Sequence, residues 1–583
     1  MRSVRWIAAA SLLTGVWIGA RNSALLGASR GGGEGTTCSV PARYSAYDGL
    51  EATLEAWAEA APGEVFVREL ATSRGGRSLR CLEIAPAPDG PRETDEKQWT
   101  VLLVGGLDGR SIASSLAVLR AGALLTERLP TLRRDVRVLL VPAASPDALA
   151  DARAAKSGRP EGRNRRPFDD DGDGAFAEDP PDDLDGDGLV LDMLLEDPLG
   201  PWQLEGTPPR LLPAGERSAV RYTLVREGRD DDGDGRFNED AEGGVRYDQH
   251  FPTGWAGGPG SARPLSEPVA RALADLAVEE EVDLALVFGG EHGGLRFVQP
   301  REASGAEPLP SGADALEALF TASTGRASAG PRSARFEGHA LAWLEEAVGA
   351  RAVQVSVWGP IGRGAHDAEN APGVAALFAL DSVPLASGSP ASRSLTPGAA
   401  GPPGAVPCAL EVGRSAWCRW IDEARGGAGF VDWHPIDVGA GRIALVGGFE
   451  PRTRFDPPED LLPAALRGVE EFVLETVEAL PRLDIEVVEV ARHGDCVELS
   501  ARVVNRGGLP LDLAGTPGGG ELSLEVGGGG LLLAGAERTP LPALLGRAST
   551  ERQAWLVRLP EGTPVVLRAR FGRGREARRE VRP

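Results

Sequence analysis

The run Val101-Leu-Leu-Val104 constrains the fold more than any other stretch of the chain. Four apolar residues follow one another without polar alternation, and the chain then turns through Gly105-Gly106. A strand that is apolar on both faces needs cover on both, which suits the interior of a parallel or mixed sheet. The flanking sequence supplies that cover. Residues 113–129 read as an amphipathic helix and Val136-Arg-Val-Leu-Leu-Val141 as the next strand. Upstream, residues 50–57 carry apolar side chains at helical spacing, and 65–70 and 79–84 alternate as strands. Downstream, residues 264–276 predict a helix with Ser266 as its cap, 282–288 a strand, 340–347 a helix and 352–357 a strand. The alternation predicts an α/β fold: a doubly wound mixed sheet with helices on both faces. Sites in such sheets lie beyond the carboxyl ends of the strands, where Asp108 and Ser111 stand.

At 583 residues the chain exceeds a single core. Residues 1–28 open with Arg2 and Arg5 and continue into an apolar run of about 14 residues, short of the roughly 20 that a membrane span needs. They read as a signal peptide or an uncleaved N-terminal anchor. Export is therefore expected (extracellular, periplasmic or cell surface), with membrane contact only through that anchor. Residues 29–42 form a flexible leader. The α/β domain covers 43–481, closes with a helix over 460–480, and carries a loop-rich insertion at 148–242 and a Pro/Gly/Ser-rich linker at 386–407. After Pro481 the period changes to two. Residues 483–490, 496–504, 521–526 and 564–569 predict an all-β sandwich over 482–583.

A formal net charge of −23 excludes nucleic acid and anionic membrane surfaces as partners. The acidity is concentrated in Asp runs, which point to cations. Lys97 and Lys156 are the two lysines, so arginine supplies nearly all of the positive charge. Five cysteines without a Cys-x-x-Cys pattern argue against a thiolate zinc site; Cys408 and Cys418 are spaced to pair in an exported protein.

The frame Gly106-Leu-Asp-Gly-Arg-Ser111 resembles the zinc carboxypeptidase (carboxypeptidase A-like metallopeptidase) family. There a strand ends in Gly-x-His-x-Arg-Glu, whose His and Glu bind zinc. Further resemblances follow in order along residues 43–481. They are Pro142-Ala-Ala-Ser-Pro-Asp147, Arg163-Asn-Arg-Arg166, Arg246-Tyr-Asp-Gln-His-Phe-Pro252, Phe288-Gly-Gly-Glu-His-Gly-Gly294, Gly338-His-Ala-Leu-Ala-Trp343, Gly429-Phe-Val-Asp-Trp-His-Pro435 and Val446-Gly-Gly-Phe449. The resemblance implies three zinc ligands with an open position for water, and a carboxylate that moves protons. In this chain the zinc positions hold Asp108, Ser111 and Gly290, and the general-base position holds Ser356. Asp248 and Gln249 replace the Asn-Arg pair that holds a substrate carboxylate. Arg110 matches the arginine between the first two ligands, and Arg165, or Arg166 in another register, matches the carbonyl-polarising arginine. Arg110 and Arg165 are the candidate substrate-binding residues.

The expectation is an exported, catalytically inactive carboxypeptidase-like protein that binds a peptide or cell-wall fragment in the retained cleft. One alternative is an active metallocarboxypeptidase or amidohydrolase with a displaced site, built from Asp108, His250 and His292, or using Glu411 as its base. Another is a structural surface protein in which only the fold is used.

Residues 169–179 and 230–240 are one eleven-residue unit, identical at nine positions, and Asp183-Leu-Asp-Gly-Asp-Gly188 repeats its core. Each places Asp at positions 1, 3 and 5 and Gly at 6, a spacing that wraps carboxylates around one hard cation. Calcium is therefore the expected cofactor, rather than zinc. Its candidate ligands are Asp169, Asp171 and Asp173, then Asp183, Asp185 and Asp187, then Asp230, Asp232 and Asp234. Position 12 holds Pro180 or Ala241 in the long copies, so these are not EF-hand loops.

Overall fold

A computed structural model describes residues 39–87, 97–154, 162–167, 174, 179–231, 233, 235–238, 244–255, 263–290, 293–298, 312–326, 333–334, 338–359, 417–418, 420–439, 441–513 and 519–583. The expected signal or anchor segment 1–28, the leader to residue 38, the linker 386–407, and Cys408 lie outside the described residues.

The chain begins with α1 (Leu50–Ala60), β1 (Val65–Thr72), β2 (Ser78–Ile84), β3 (Trp99–Gly105), α2 (Ile112–Glu127), β4 (Val136–Val141) and α3 (Pro146–Ala154). Four short strands follow: β5 (Asp192–Glu196), β6 (Trp202–Glu205), β7 (Arg210–Pro213) and β8 (Tyr222–Arg226). Next come α4 (Pro268–Glu279), β9 (Leu284–Phe288), β10 (Gly294–Val298), α5 (Ala313–Thr324), β11 (Ser333–Ala334), α6 (Ala340–Trp343) and β12 (Arg351–Ser356). Then β13 (Phe430–Asp437), β14 (Ile443–Phe449), α7 (Leu462–Leu466) and α8 (Val469–Ala479) lead into the last part of the chain.

The main sheet runs β1-β2-β4-β3-β9-β12-β10-β11. Its centre is parallel: β3 pairs with β4 and β9, and β9 with β12. All seven residues of β3 are buried. Alternate side chains point to opposite faces of a strand, and here they enter two separate cores. Val101 and Leu103 pack with Leu116, Phe320 and Phe472 of α2, α5 and α8. Leu102 and Val104 pack with Val269, Leu273 and Leu341 of α4 and α6. Helices therefore cover both faces, and each fully buried Val or Leu contributes roughly 1.5–3 kcal/mol.

Several elements differ from the sequence reading. The insertion carries four short strands that the sequence did not show: β5 to β8 join β13 and β14 in a second sheet, ordered β13-β14-β5-β8-β6-β7. The partner of β5 is far away in sequence, with Leu194 opposite Leu445, so no local pattern reveals it. The closing helix is broken between α7 and α8. Gly468 has a φ of 73°, and a Cβ there would lie 1.9 Å from the Ser323 carbonyl oxygen. Ser266 does not cap α4. Glu267 takes the N-cap position without a side-chain capping bond. The helix expected over 340–347 is α6 followed by one π turn, Leu344–Val348, which ends at Gly349 with a φ of 73°.

Beyond residue 482 the chain forms β15 (Leu483–His493), β16 (Cys496–Asn505), β17 (Gly520–Val526), β18 (Leu531–Ala534), β19 (Arg538–Leu541), β20 (Gln553–Arg558), β21 (Val565–Phe571) and β22 (Arg575–Val581). They make two four-stranded sheets, β15-β16-β20-β18 and β19-β17-β21-β22. Val497, Leu499 and Val557 of one sheet share a core with Leu522, Leu524 and Leu567 of the other. The expected strands are all present. Of the unforeseen ones, β18 and β19 are short and the edge strand β22 is charged, while the central strand β20 was missed although it alternates.

This β domain docks on the amino edge of the main sheet. Arg575 donates to the Lys97 carbonyl and to Asp283 Oδ2, and its guanidinium lies 3.6 Å from the centre of the Trp99 ring. Asp283 is 2% exposed, and its Oδ2 also accepts the Thr100 N–H at 3.0 Å. Arg351, 1% exposed, donates to the Leu513 carbonyl and to Glu345. Among the described residues no helix is long and apolar enough to cross a membrane. Replacing Arg575 with Met should leave the buried Asp283 with only Arg573, 3.7 Å away, as its ion-pair partner, at a cost of about 2–4 kcal/mol. Urea unfolding measures this; a loss below about 1 kcal/mol would mean that Arg575 does not compensate Asp283.

Candidate functional site

The carboxyl ends of β3, β9 and β12 meet at one edge of the main sheet. Asp108 follows β3 after a turn through Gly106. Its Oδ1 accepts the Arg110 N–H and its Oδ2 the Gly290 N–H, both at 3.1 Å. Gly289 and Gly290 have φ values of 152° and 87°. A Cβ on Gly290 would lie 2.9 Å from Gln354 Nε2 and 3.3 Å from Ser356 Oγ. Ser356, fully buried at the end of β12, donates to the Gly289 carbonyl at 3.2 Å. Asp108, Gly290 and Ser356 are thus brought together: Asp108 and Ser356 are hydrogen-bonded to neighbouring backbone, and Gly290 has no side chain to offer.

Ser111 is placed differently. It caps α2, accepting the Ser114 N–H at 3.1 Å and donating to Asp456 Oδ1 at 3.1 Å. Asp456 also accepts the N–H groups of Ile112 and Ala113 at 3.2 and 2.8 Å. A helix N-terminus has unsatisfied donors that favour a carboxylate, and Arg452 Nε steadies this one at 2.8 Å.

The polar wall beside Asp108 is built from Asp248, Arg246, Arg110 and His339. Asp248 is 4% exposed. It pairs with Arg246 at 2.8 Å and faces His339 Nε2 at 3.7 Å. Burial alone would raise its pKa, but Arg246, His339 and Arg110 together outweigh that and hold it below the usual carboxylate value. Asp108 moves the other way: burial raises it and Asp248 adds to the rise, against the N–H bonds from Arg110 and Gly290. Burial pushes His339 down to about 4, so the ring is neutral at pH 7. Its Nδ1 accepts the Leu341 N–H at 3.1 Å, which leaves the proton on Nε2, toward Asp248. Arg110 stacks over Phe455, 5.1 Å from the ring centre.

Residues 163–166 run alongside, with Arg163 bridged to Arg246. Of the two arginines left open by the sequence, Arg165 pairs with Asp151 on the surface. Arg166 reaches the buried Glu267 at 2.9 Å. His250 turns to Ser266: its Nε2 accepts the Ser266 N–H at 3.2 Å and lies 2.9 Å from Ser266 Oγ. His292 and Glu411 lie outside the described residues. Among the described residues, neither Asp108 nor His250 belongs to a group of three close metal-ligating side chains. One carboxylate, a helix-capping serine and a glycine fall short of the three protein ligands that a catalytic zinc ion needs.

Asp183, Asp185 and Asp187 do form such a group, with ligand oxygens within 4.8 Å of one another. Asp183 accepts the N–H groups of Gly186 and Gly188 at 2.7 and 2.9 Å. His434 Nε2 sits 2.7 Å from Asp185 Oδ2. The buried Glu227 holds both flanks through Leu184 N and Leu191 N, at 2.8 and 2.9 Å. Asp230 repeats the first-position contact, accepting the Gly235 N–H at 3.1 Å. Asp179, 1% exposed, braces that same loop from the other copy, accepting the Asp231 and Asn238 N–H groups at 3.1 and 2.6 Å. Asp169, Asp171, Asp173, Asp232 and Asp234 lie outside the described residues.

Sequence reasoning missed Asp456, His339 and Glu267 as members of the site's surroundings. Only His339 had a signal, its place after Gly338 at a helix start.

Residues 482–582 match a family described as "Domain of unknown function (DUF8731)". No curated protein matches the chain. Among solved structures the chain is similar to carboxypeptidase A from Helicoverpa armigera, at 15% identity over 55% of this chain and 66% of that one, with a TM-score of 0.33. It is similar to thrombin activatable fibrinolysis inhibitor at 12% identity, over 55% and 69% of the two chains, with a TM-score of 0.32. The murein-tripeptide amidase MpaA from Escherichia coli O157 is 12% identical over 52% of this chain and 87% of its own, with a TM-score of 0.23.

The raised Asp108 fixes a sign. A carboxyl group whose folded pKa exceeds its unfolded value favours folding while protonated, and that contribution fades as pH rises through the folded value. Asp108→Asn should therefore gain stability relative to wild type as pH rises above the ordinary aspartate pKa of about 4. Melting temperatures over that rise test this; a gap that closes with rising pH would reverse the assignment.

Proposed function

We propose that the chain is an exported protein built on a carboxypeptidase-like scaffold with a C-terminal β-sandwich. In this reading it has no peptidase activity and binds a peptide or cell-wall fragment in the cleft beyond β3, β9 and β12. One observation carries the reading: Asp108, Gly290 and Ser356 converge at the positions that the resemblance gives to zinc and the general base, and of these only Asp108 has a carboxylate to offer. The cleft keeps what binding needs. Arg110 is held over Phe455 beside the polar side chains of Arg246, Asp248 and His339, so a peptide can be gripped by hydrogen bonds without being cut. Protein reloaded with zinc should release no residue from a panel of C-terminal peptides, while one or more of those peptides binds saturably. Arg110→Ala should weaken that binding about tenfold. Zinc-dependent turnover would sink the reading.

Calcium belongs to the same proposal as the ion that stiffens the Asp-rich loops. Asp183, Asp185 and Asp187 would hold it, with each carboxylate oxygen keeping a lone pair beyond its hydrogen bond. Binding only to the folded chain would stabilise it by roughly 2.7 kcal/mol at a hundredfold excess over Kd. Calcium should raise the melting temperature. Asp183→Ala with Asp187→Ala should reduce that rise, and Asp171→Ala with Asp232→Ala should do so for the two longer copies. A melting temperature indifferent to calcium would remove the ion from the proposal.

A further inference from the structure

Three arginines gather on one patch next to the cleft, each tied to an acid beneath it. Arg74 donates Nε to Glu267 Oε2 at 2.7 Å, and Arg166 donates Nη1 to Glu267 Oε1 at 2.9 Å. Arg77 donates Nη1 to Asp147 Oδ1 at 3.0 Å. The two carboxylates are 0% exposed, whereas the Arg74, Arg77 and Arg166 side chains are 41%, 38% and 32% exposed. Each pair therefore has its acid inside and its base at the surface.

The acids are saturated by further donors. Glu267 accepts Asn164 Nδ2 at 2.8 Å, and Asp147 accepts Ser73 Oγ and the Gly75 N–H at 2.8 and 2.9 Å. The arginines are not saturated. Among the described residues, Nη1 of Arg74, Nε and Nη2 of Arg166, and Nε and Nη2 of Arg77 make no hydrogen bond. Arg74 and Arg77 share the turn between β1 and β2, which is tied across by the Ser73 N–H to the Arg77 carbonyl at 2.8 Å. Three guanidiniums thus stand over two sunken carboxylates, in a chain whose overall charge is −23. A guanidinium fixed on one side presents its remaining N–H groups as a rigid fork, the geometry that oxyanions prefer. The patch connects to the cleft through the Arg163–Arg246 bridge and the Arg246–Asp248 pair. Asp248 itself offers a negative wall.

We propose that Arg74, Arg77 and Arg166 form a subsite for an oxyanion, a carboxylate or a phosphate, carried by the ligand of the neighbouring cleft. This deepens the peptide or wall-fragment reading and rests on it for what bears the anion. Recognition of the ligand's charge then lies outside the sheet edge, away from Asp108 and Asp248.

The full chain is titrated by calorimetry with inorganic phosphate and, separately, with N-acetylglutamate, at low ionic strength so that surface charges are not screened. Saturable binding of one or both is expected, weakened about tenfold or more in Arg74→Gln and in Arg166→Gln. An exposed arginine of the β domain, Arg578→Gln, should leave it unchanged. Binding of phosphate alone assigns the anion to a wall polymer, and of N-acetylglutamate alone to a peptide. Arg74→Lys keeps the charge against Glu267 without the fork, and weakened binding there gives the same answer if Arg74→Gln does not fold. No binding by wild type, or equal binding by wild type and both Gln variants, overturns the subsite. An uncharged peptide amide that binds wild type and Arg74→Gln alike keeps the cleft reading separate from this outcome.

Discussion

Everything at the open edge of the main sheet depends on β3 being covered on both faces. Val101 and Leu103 are locked into one core and Leu102 and Val104 into the other. A one-residue slip would exchange the two sets. That double commitment fixes the register of β4 and β9 against β3. It therefore fixes where Asp108, Gly289 and Gly290 emerge.

At that edge, polar side chains serve the backbone. Ser111 and Asp456 satisfy the start of α2, His339 satisfies the start of α6, and Asp108 ties the turn after β3 to the turn after β9. These bonds hold the turns after β3 and β9 and the starts of α2 and α6 in place. Asp248 remains charged in a buried wall because the guanidiniums of Arg246 and Arg110 stand beside it.

Much of the α/β frame was legible in the sequence, because its signals are local. The uninterrupted apolar runs of β3 and β4 and the helical spacing of α2 need no distant partner to be recognised. The positions meeting at the site were legible too, through motifs anchored to strand ends. What was hidden depends on contacts across hundreds of residues. β5 reads as an ordinary loop until β14 pairs with it, and Glu267 resembles a helix-start acid until Arg74 and Arg166 close on it. The break at Gly468 is set by the Ser323 carbonyl of α5, which no local pattern contains. His250 looked like a ligand by position, yet its ring nitrogen answers to Ser266.

The docking of the β domain bears on the order in which the chain is made. Asp283 sits at the entry to the central strand β9, and the arginine that neutralises it arrives 292 residues later. Domains generally fold as units while synthesis continues. The α/β core can therefore assemble around a carboxylate that has no partner yet, exposed at an edge where Trp99 is also uncovered. Until β22 is made, that edge lacks the guanidinium that covers Trp99 and pairs with Asp283.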